Sequence, residues 1–189
     1  MNKEPNKIVL DIETTGLHPW YGDRVTCICA RDSKGDTFSK ALLEEDDEKE
    51  SNLIFAFFDW CLDEDRRPFK LITFNGKQFD IPFLLTRYVL DNRFAHFEIL
   101  RDEILQFAHN TDIDLHQELR KLTGKRISLD TAAKLMGCDT KSGTGKDAIE
   151  LWKQGKYQEL MDYCMQDVEV TWQVYQKWKE LKKRNNGGD

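Results

Sequence analysis

Ile8, Val9 and Leu10 run straight into Asp11, Ile12 and Glu13, and the alternation across these positions predicts a strand that ends in charge. Side chains two apart in a strand share a face, so Ile8, Leu10 and Ile12 line one side while Val9, Asp11 and Glu13 line the other. Gly16 then gives the backbone freedom to turn away. Arg24 to Arg31 and Asp36 to Leu42 read as two further strands joined by a hairpin turn at Ser33-Lys34-Gly35, which makes three antiparallel strands in succession. The acidic run Glu44 to Glu50 reads as a solvated connection. Beyond it Leu53, Ile54, Phe57, Phe58 and Cys61 recur at helical spacing and predict a helix over Ser51 to Leu62, packed on the sheet.

Phe69 to Phe74 predicts a short apolar strand ended by Asn75-Gly76. That pair often makes a hairpin, but Pro82-Phe83-Leu84-Leu85 suits the opening of a helix, so a strand-to-helix turn is expected. Ile99, Leu100, Ile104 and Phe107 fall at helical intervals over residues 97–107, and Ile113-Asp114-Leu115 reads as another strand. Ser128 to Met136 reads as a helix stopped by Gly137, and Lys141 to Lys146 as a flexible loop. The last helix is expected from Tyr157 to about Lys183, with an apolar stripe through Leu160, Cys164, Val168, Tyr175 and Trp178. Asn185 to Asp189 reads as a frayed, disordered tail.

With 189 residues, 40% hydrophobic and 33% charged, the chain suits one domain over residues 1–189 with a sizeable core. No run approaches the ~20 apolar residues of a membrane span, and the opening Met1-Asn2-Lys3-Glu4-Pro5 has no apolar core of a signal peptide, so a cytoplasmic protein without a membrane partner is expected. The five cysteines are scattered, with Cys27 and Cys29 two apart, and suit reduced, mostly buried thiols better than zinc or a disulfide framework. A net charge of −6 argues against a general nucleic-acid coat but not against a nuclease, whose bound divalent cations invert the local sign. Basic residues gather at Lys121, Lys125 and Arg126, at Lys141 and Lys146, and at Lys182, Lys183 and Arg184; as groups they suit solvated faces, with one of the first two expected to flank a substrate path.

Three stretches carry candidate chemistry. Asp11 and Glu13 bring two carboxylates to one small site, where like charges raise each other's proton affinity unless a cation intervenes; a divalent ion with oxygen ligands is the usual remedy. Asp80, in Asn75-Gly76-Lys77-Gln78-Phe79-Asp80, stands at the expected strand-to-helix junction, where a helix cap is the plainer role. Tyr163 and Asp167, four apart on the last helix, fall on one face beside the apolar stripe and can point into a groove at its edge. Gly145-Lys146 looks like the end of a phosphate-binding loop, but Thr140 stands where its first glycine is needed and Asp147 where a hydroxyl should bind magnesium.

Together, Asp11-x-Glu13, Asn75-x-x-x-Phe79-Asp80 and Tyr163-x-x-x-Asp167 resemble the three motifs of the DEDDy branch of the ribonuclease H-like 3′–5′ exonucleases, and the second is similar to that of the proofreading domain of family B DNA polymerases. Order and spacing fit over most of the chain, and Ile127 to Lys134 resembles the helix that leads into the third motif. The sister branch carries a histidine where this chain has Asp162. The resemblance implies an α/β, ribonuclease H-like fold: a mixed sheet of three antiparallel strands followed by parallel ones, with helices on both faces. It further implies that Asp11, Glu13, Asp80 and Asp167 hold two divalent ions, Mg²⁺ or Mn²⁺, roughly 4 Å apart, and that Tyr163 orients the attacking water. An unperturbed phenol with a pKa near ~10 is a poor free base.

By the same resemblance Leu17, Asn75 and Phe79 lie near the 3′-terminal nucleotide, and His18 is close enough to motif I to touch phosphate, although a surface loop histidine is the plainer reading. The expected partner is single-stranded nucleic acid with a free 3′ end, DNA slightly favoured over RNA. Nothing after Asp189 could form a polymerase palm, as in a free-standing exonuclease or a fragment. An RNA-trimming enzyme with the same site, and a binding module that keeps the fold as a scaffold, are the competing expectations; the intact acids and tyrosine speak against the second.

Overall fold

The alternation at residues 8–13 becomes β1 (Asn6–Thr14), the middle strand of a five-stranded sheet. The computed structural model describes residues 4–90, 113–140 and 145–186. The remaining strands are β2 (Val25–Asp32), β3 (Thr37–Ala41), β4 (Phe69–Thr73) and β5 (Ile113–Asp114), and the sheet order is β3-β2-β1-β4-β5. β1, β2 and β3 are antiparallel in turn, whereas β4 pairs parallel with β1 and β5 parallel with β4. The sheet is therefore mixed, as expected. The described helices are α1 (Asp47–Leu62), α2 (Asp80–Leu90), α3 (Leu115–Thr123), α4 (Leu129–Met136), α5 (Gly145–Lys153) and α6 (Tyr157–Asn186), with a short 3-10 turn at Pro19–Tyr21.

Because β1 is buried on both faces, its two sets of side chains feed two cores. Ile8, Leu10 and Ile12 pack with Phe57, Phe58 and Leu84 of α1 and α2. Val9 and the neighbouring Cys27 and Cys29 pack with Leu160, Cys164 and Val168 of α6, whose stripe continues through the buried Tyr175 and Trp178. Each hydrophobic face thus meets a helix stripe, the layered arrangement that removes both from water. Among the described residues, no helix is long and apolar enough to cross a membrane.

Five expectations need correction. The acidic run is not wholly a connection: α1 starts at Asp47, capped by the Asp46 side chain accepting from the Lys49 amide at 2.8 Å. Acids in a first helical turn face the positive end of the helix dipole, so the run initiates the helix. Gly16 has no left-handed backbone; what it permits is the close approach of Asp23, whose carboxylate a Cβ at that position would strike. Leu115 opens α3 instead of extending β5, and Gly145 and Lys146 open α5 instead of belonging to a loop. The last helix runs to Asn186, past its expected end. Residues 97–107, 141–144 and 187–189 lie outside the described residues.

Glu50 is the buried link among these elements. It accepts from the Val25 amide at 2.8 Å and from Arg87 Nε at 2.9 Å, and faces Arg24 at 3.2 Å, so one carboxylate ties α1 to β2 and α2. Arg87 also donates to the Pro19 carbonyl at 3.3 Å and so holds the turn that follows β1. Removing one partner of a buried charge cluster leaves the others uncompensated, at a cost of about 3 kcal/mol. Glu50→Ala is expected to lower unfolding stability by about that much in urea titration; a loss below about 0.5 kcal/mol would mean that the cluster is no more than a surface ion pair.

Candidate active site

Folding brings the first two acidic stretches into contact through the backbone. Asp80 is the first residue of α2, and its Oδ1 accepts from the Ile12 amide at 3.1 Å. The second-motif acid therefore reaches across to the peptide between the two acids of the first. Asp11 and Glu13 point to the same face of β1, and their carboxylates lie within 4.8 Å of each other and of Cys164 Sγ. Both are half-buried at the strand end, where the pairing with β2 shifts register between Glu13 and Thr14. Such an irregularity at a strand end is a common way to re-aim a side chain.

The third stretch arrives on α6. Tyr163, Cys164 and Asp167 are buried, and the Cys164 thiol donates to the Asp11 carbonyl at 3.4 Å, fixing this turn of the helix above β1. Asp80 and Asp167 are each only 5% exposed. Burial pushes the Asp80 carboxyl up to about 7, and the negative charges of Asp114 and Asp167 add to the rise against the opposing pull of backbone amides. Asp167 thus acts on Asp80 electrostatically. Neither Asp80 nor Asp167 belongs to a set of three potential ligands mutually within 4.8 Å among the described residues. The donor chemistry fits a hard divalent cation: four carboxylates from three elements, one of them raised by desolvation and by neighbouring acids, which is the field a cation relieves.

Asn75 adopts a left-handed backbone with φ 72°, the turn that ends β4 and starts the run into α2. Asp114 holds that turn: its carboxylate accepts from the Asn75 amide at 3.0 Å and the Lys77 amide at 3.1 Å while capping α3 through the His116 amide at 3.1 Å. Nothing local in the sequence marked Asp114, which reads there as part of a strand. Phe79 is half-buried with its ring 5.5 Å from that of Phe83, so one of its faces serves the core.

Leu17 is 69% exposed on the segment between β1 and β2, and it has company that sequence reading missed, Trp20 at 59% and Tyr21 at 83%. His18 is exposed beside them, 5.9 Å from each ring. The segment is pinned: the Asp23 carboxylate accepts from the His18 amide at 2.8 Å, and the Thr15 hydroxyl from the Arg24 amide at 2.9 Å. A tryptophan and a tyrosine directly after the first motif were the available signal.

A family model described as a predicted 3′–5′ exonuclease related to the exonuclease domain of PolB matches residues 18–186. The matched span holds Asp80, Tyr163 and Asp167, and Asp11 and Glu13 lie just before it. Among solved structures, the family B DNA polymerase from the hyperthermophilic archaeon Pyrobaculum calidifontis is similar with a TM-score of 0.68 at 18% identity, over 93% of this chain. The chain spans 24% of that polymerase's length, and the likeness is one of fold: a mixed-sheet α/β architecture of the ribonuclease H-like kind. No curated protein matches the sequence.

The raised Asp80 pKa has a consequence for stability. The unfolded chain releases this proton near 3.8 and the folded chain near 7, so the stability it contributes is complete below the lower value and is lost as pH rises through the upper one. In chelator, Asp80→Asn, which keeps an oxygen to accept from Ile12, is expected to melt at a higher temperature than the wild type at about pH 8 and near the wild-type temperature at about pH 4. Thermal melts at both pH values check this; an equal or lower melting temperature for the variant at the higher pH would contradict the burial of a reluctant charge.

Proposed function

The chain belongs to the family of predicted 3′–5′ exonucleases related to the exonuclease domain of PolB, and we propose that it trims single-stranded nucleic acid from a free 3′ end, DNA in preference to RNA. Asp11, Glu13, Asp80 and Asp167 hold two divalent cations in this reading, Mg²⁺ or Mn²⁺, which when bound neutralise phosphate charge and supply Lewis acidity for hydrolysis. The whole chain serves as one nuclease domain, acting in the cytoplasm.

The observation that carries this reading is the 3.1 Å hydrogen bond from the Ile12 amide to Asp80, which ties the second-motif acid to the strand that bears Asp11 and Glu13. Asp167 supports it through the charge that Asp80 feels. Tyr163, one helical turn before Asp167 and largely buried, has a phenol suited to positioning the attacking water by a hydrogen bond. Hydrolysis adds that water to the terminal phosphorus and releases the 3′ oxygen with a proton, leaving a nucleoside 5′-monophosphate and a strand shorter by one unit. Asn75 and Phe79 precede the acid of the second motif and in this reading meet the terminal nucleotide. Leu17, with Trp20 and Tyr21 beside it, offers bases a stacking surface that is indifferent to sequence, as trimming requires. The preference for DNA rests on the likeness to a DNA polymerase.

The test is to incubate the protein with 5′-labelled single-stranded DNA and RNA in Mg²⁺, in Mn²⁺ and in chelator. Shortening from the 3′ end only with metal, faster on DNA, is expected. Asp167→Ala is expected to abolish it and Tyr163→Phe to slow it ~10²-fold, the scale of a lost positioning or proton-handling group. Faster loss of RNA would make this an RNA-trimming enzyme, binding without cleavage a scaffold module, and full activity in Asp167→Ala would refute the assigned site.

A further inference from the structure

Beneath the acids of β1 lies a cluster that the proposed hydrolysis does not use. Cys27 and Cys29 stand on β2 directly across from Glu13 and Asp11, and Cys164 comes down on them from α6. Their three Sγ atoms lie within 4.8 Å of one another, with Cys27 and Cys29 3.8 Å apart. All three residues are wholly buried. Cys61 and Cys138 take part in no such set among the described residues.

Zinc bound tetrahedrally at Zn–S distances of ~2.3 Å holds two sulfurs ~3.8 Å apart, so the β2 pair already has the spacing of two ligands on one ion. Oxygen donors stand close by. Asp11 Oδ2 is 3.5 Å from Cys164 Sγ, and Asp11, Glu13 and Cys164 form a second set within 4.8 Å. Cys164 therefore belongs at once to a soft sulfur set and to the hard oxygen set assigned to magnesium. Thiolates favour zinc and its heavier relatives, carboxylates favour magnesium and manganese, and the two sets share a boundary at one thiol.

We propose that Cys27, Cys29 and Cys164 form a site for a thiophilic divalent cation, zinc or cadmium by chemistry, with Asp11 as an adjoining carboxylate, and that an ion held there draws Asp11 away and stops cleavage. The inhibitory step rests on Asp11 being a magnesium ligand, as proposed above; the binding does not. On binding, each ligating thiol gives its proton to solvent and forms a sulfur–metal bond, with no change of oxidation state. The thiols meanwhile exchange weak partners: Cys29 Sγ lies 3.3 Å from Ser39 Oγ and 3.5 Å from the Met161 carbonyl.

The experiment titrates the reduced full chain with cadmium ion alone and follows sulfur-to-cadmium charge-transfer absorption, with X-ray absorption at the cadmium edge to count sulfur neighbours. Saturation at one ion per chain with three sulfur neighbours is expected. Cys164→Ser and Cys27→Ala are each expected to weaken binding at least tenfold, and Asp80→Asn, which leaves the thiols untouched, to retain it. A wild-type ion with one sulfur neighbour or none overturns the site whether or not the cysteine variants fold, and so does undiminished charge transfer in folded Cys164→Ser. With the sulfur count intact, magnesium-dependent cleavage that survives saturating cadmium overturns the competition for Asp11. Absence of cleavage in cadmium-free Mg²⁺ instead overturns the exonuclease reading and leaves the sulfur count to decide the site.

Discussion

The structure depends on one uncomfortable arrangement: carboxylates crowded at the end of a buried strand. β1 has to be apolar on both faces to sit mid-sheet, yet it finishes in Asp11 and Glu13, and α2 begins with an acid that reaches into the same strand through the Ile12 amide. Desolvation and like charge both oppose this, as the raised Asp80 pKa records. A protein with nothing to gain would place such groups in water. The surrounding clamps fit that view, since Glu50 fastens α1 to β2 and α2 while Asp114 fastens the Asn75 turn to α3. Rigid elements hold the acids close at a cost that a bound cation would offset.

Much of this was legible in the chain, wherever the signal was periodic or local. Alternation at residues 8–13 assigned the two faces of β1 correctly, and the stripe from Leu160 to Trp178 gave the helix that covers one of them. The Ser33-Lys34-Gly35 turn and the Gly137 stop were visible because each residue type there has a conformational reason to occur, with Gly35 at φ 99° and Gly137 at φ 66°. The candidate acids were recognised as a set through their motifs, since no periodicity relates a strand end to a helix 68 residues on.

What stayed hidden was nonlocal. Glu50 looked like one more acid in a solvated run, and only the approach of Arg24 and Arg87 from other elements explains its burial. Asp114 reads locally as the middle of a short strand, and in the structure it caps α3 and acts across the chain on the turn at Asn75. The cysteines were scattered in sequence because the sheet and α6 bring them together, with Cys29 and Cys164 meeting over Asp11. Charge and turn chemistry fix local conformation, but which buried polar groups meet is decided by tertiary packing.

In the proposed function Asp11, Glu13, Asp80 and Asp167 bind metal as one site. Its most direct measurement is a crystal structure of the protein soaked in Mn²⁺ with a short single-stranded oligonucleotide, read from anomalous scattering. Two manganese peaks bounded by these four carboxylates are expected, with the terminal phosphate between them and the Tyr163 hydroxyl. Manganese bound elsewhere, or a site that leaves Asp80 or Asp167 without a metal contact, would contradict it.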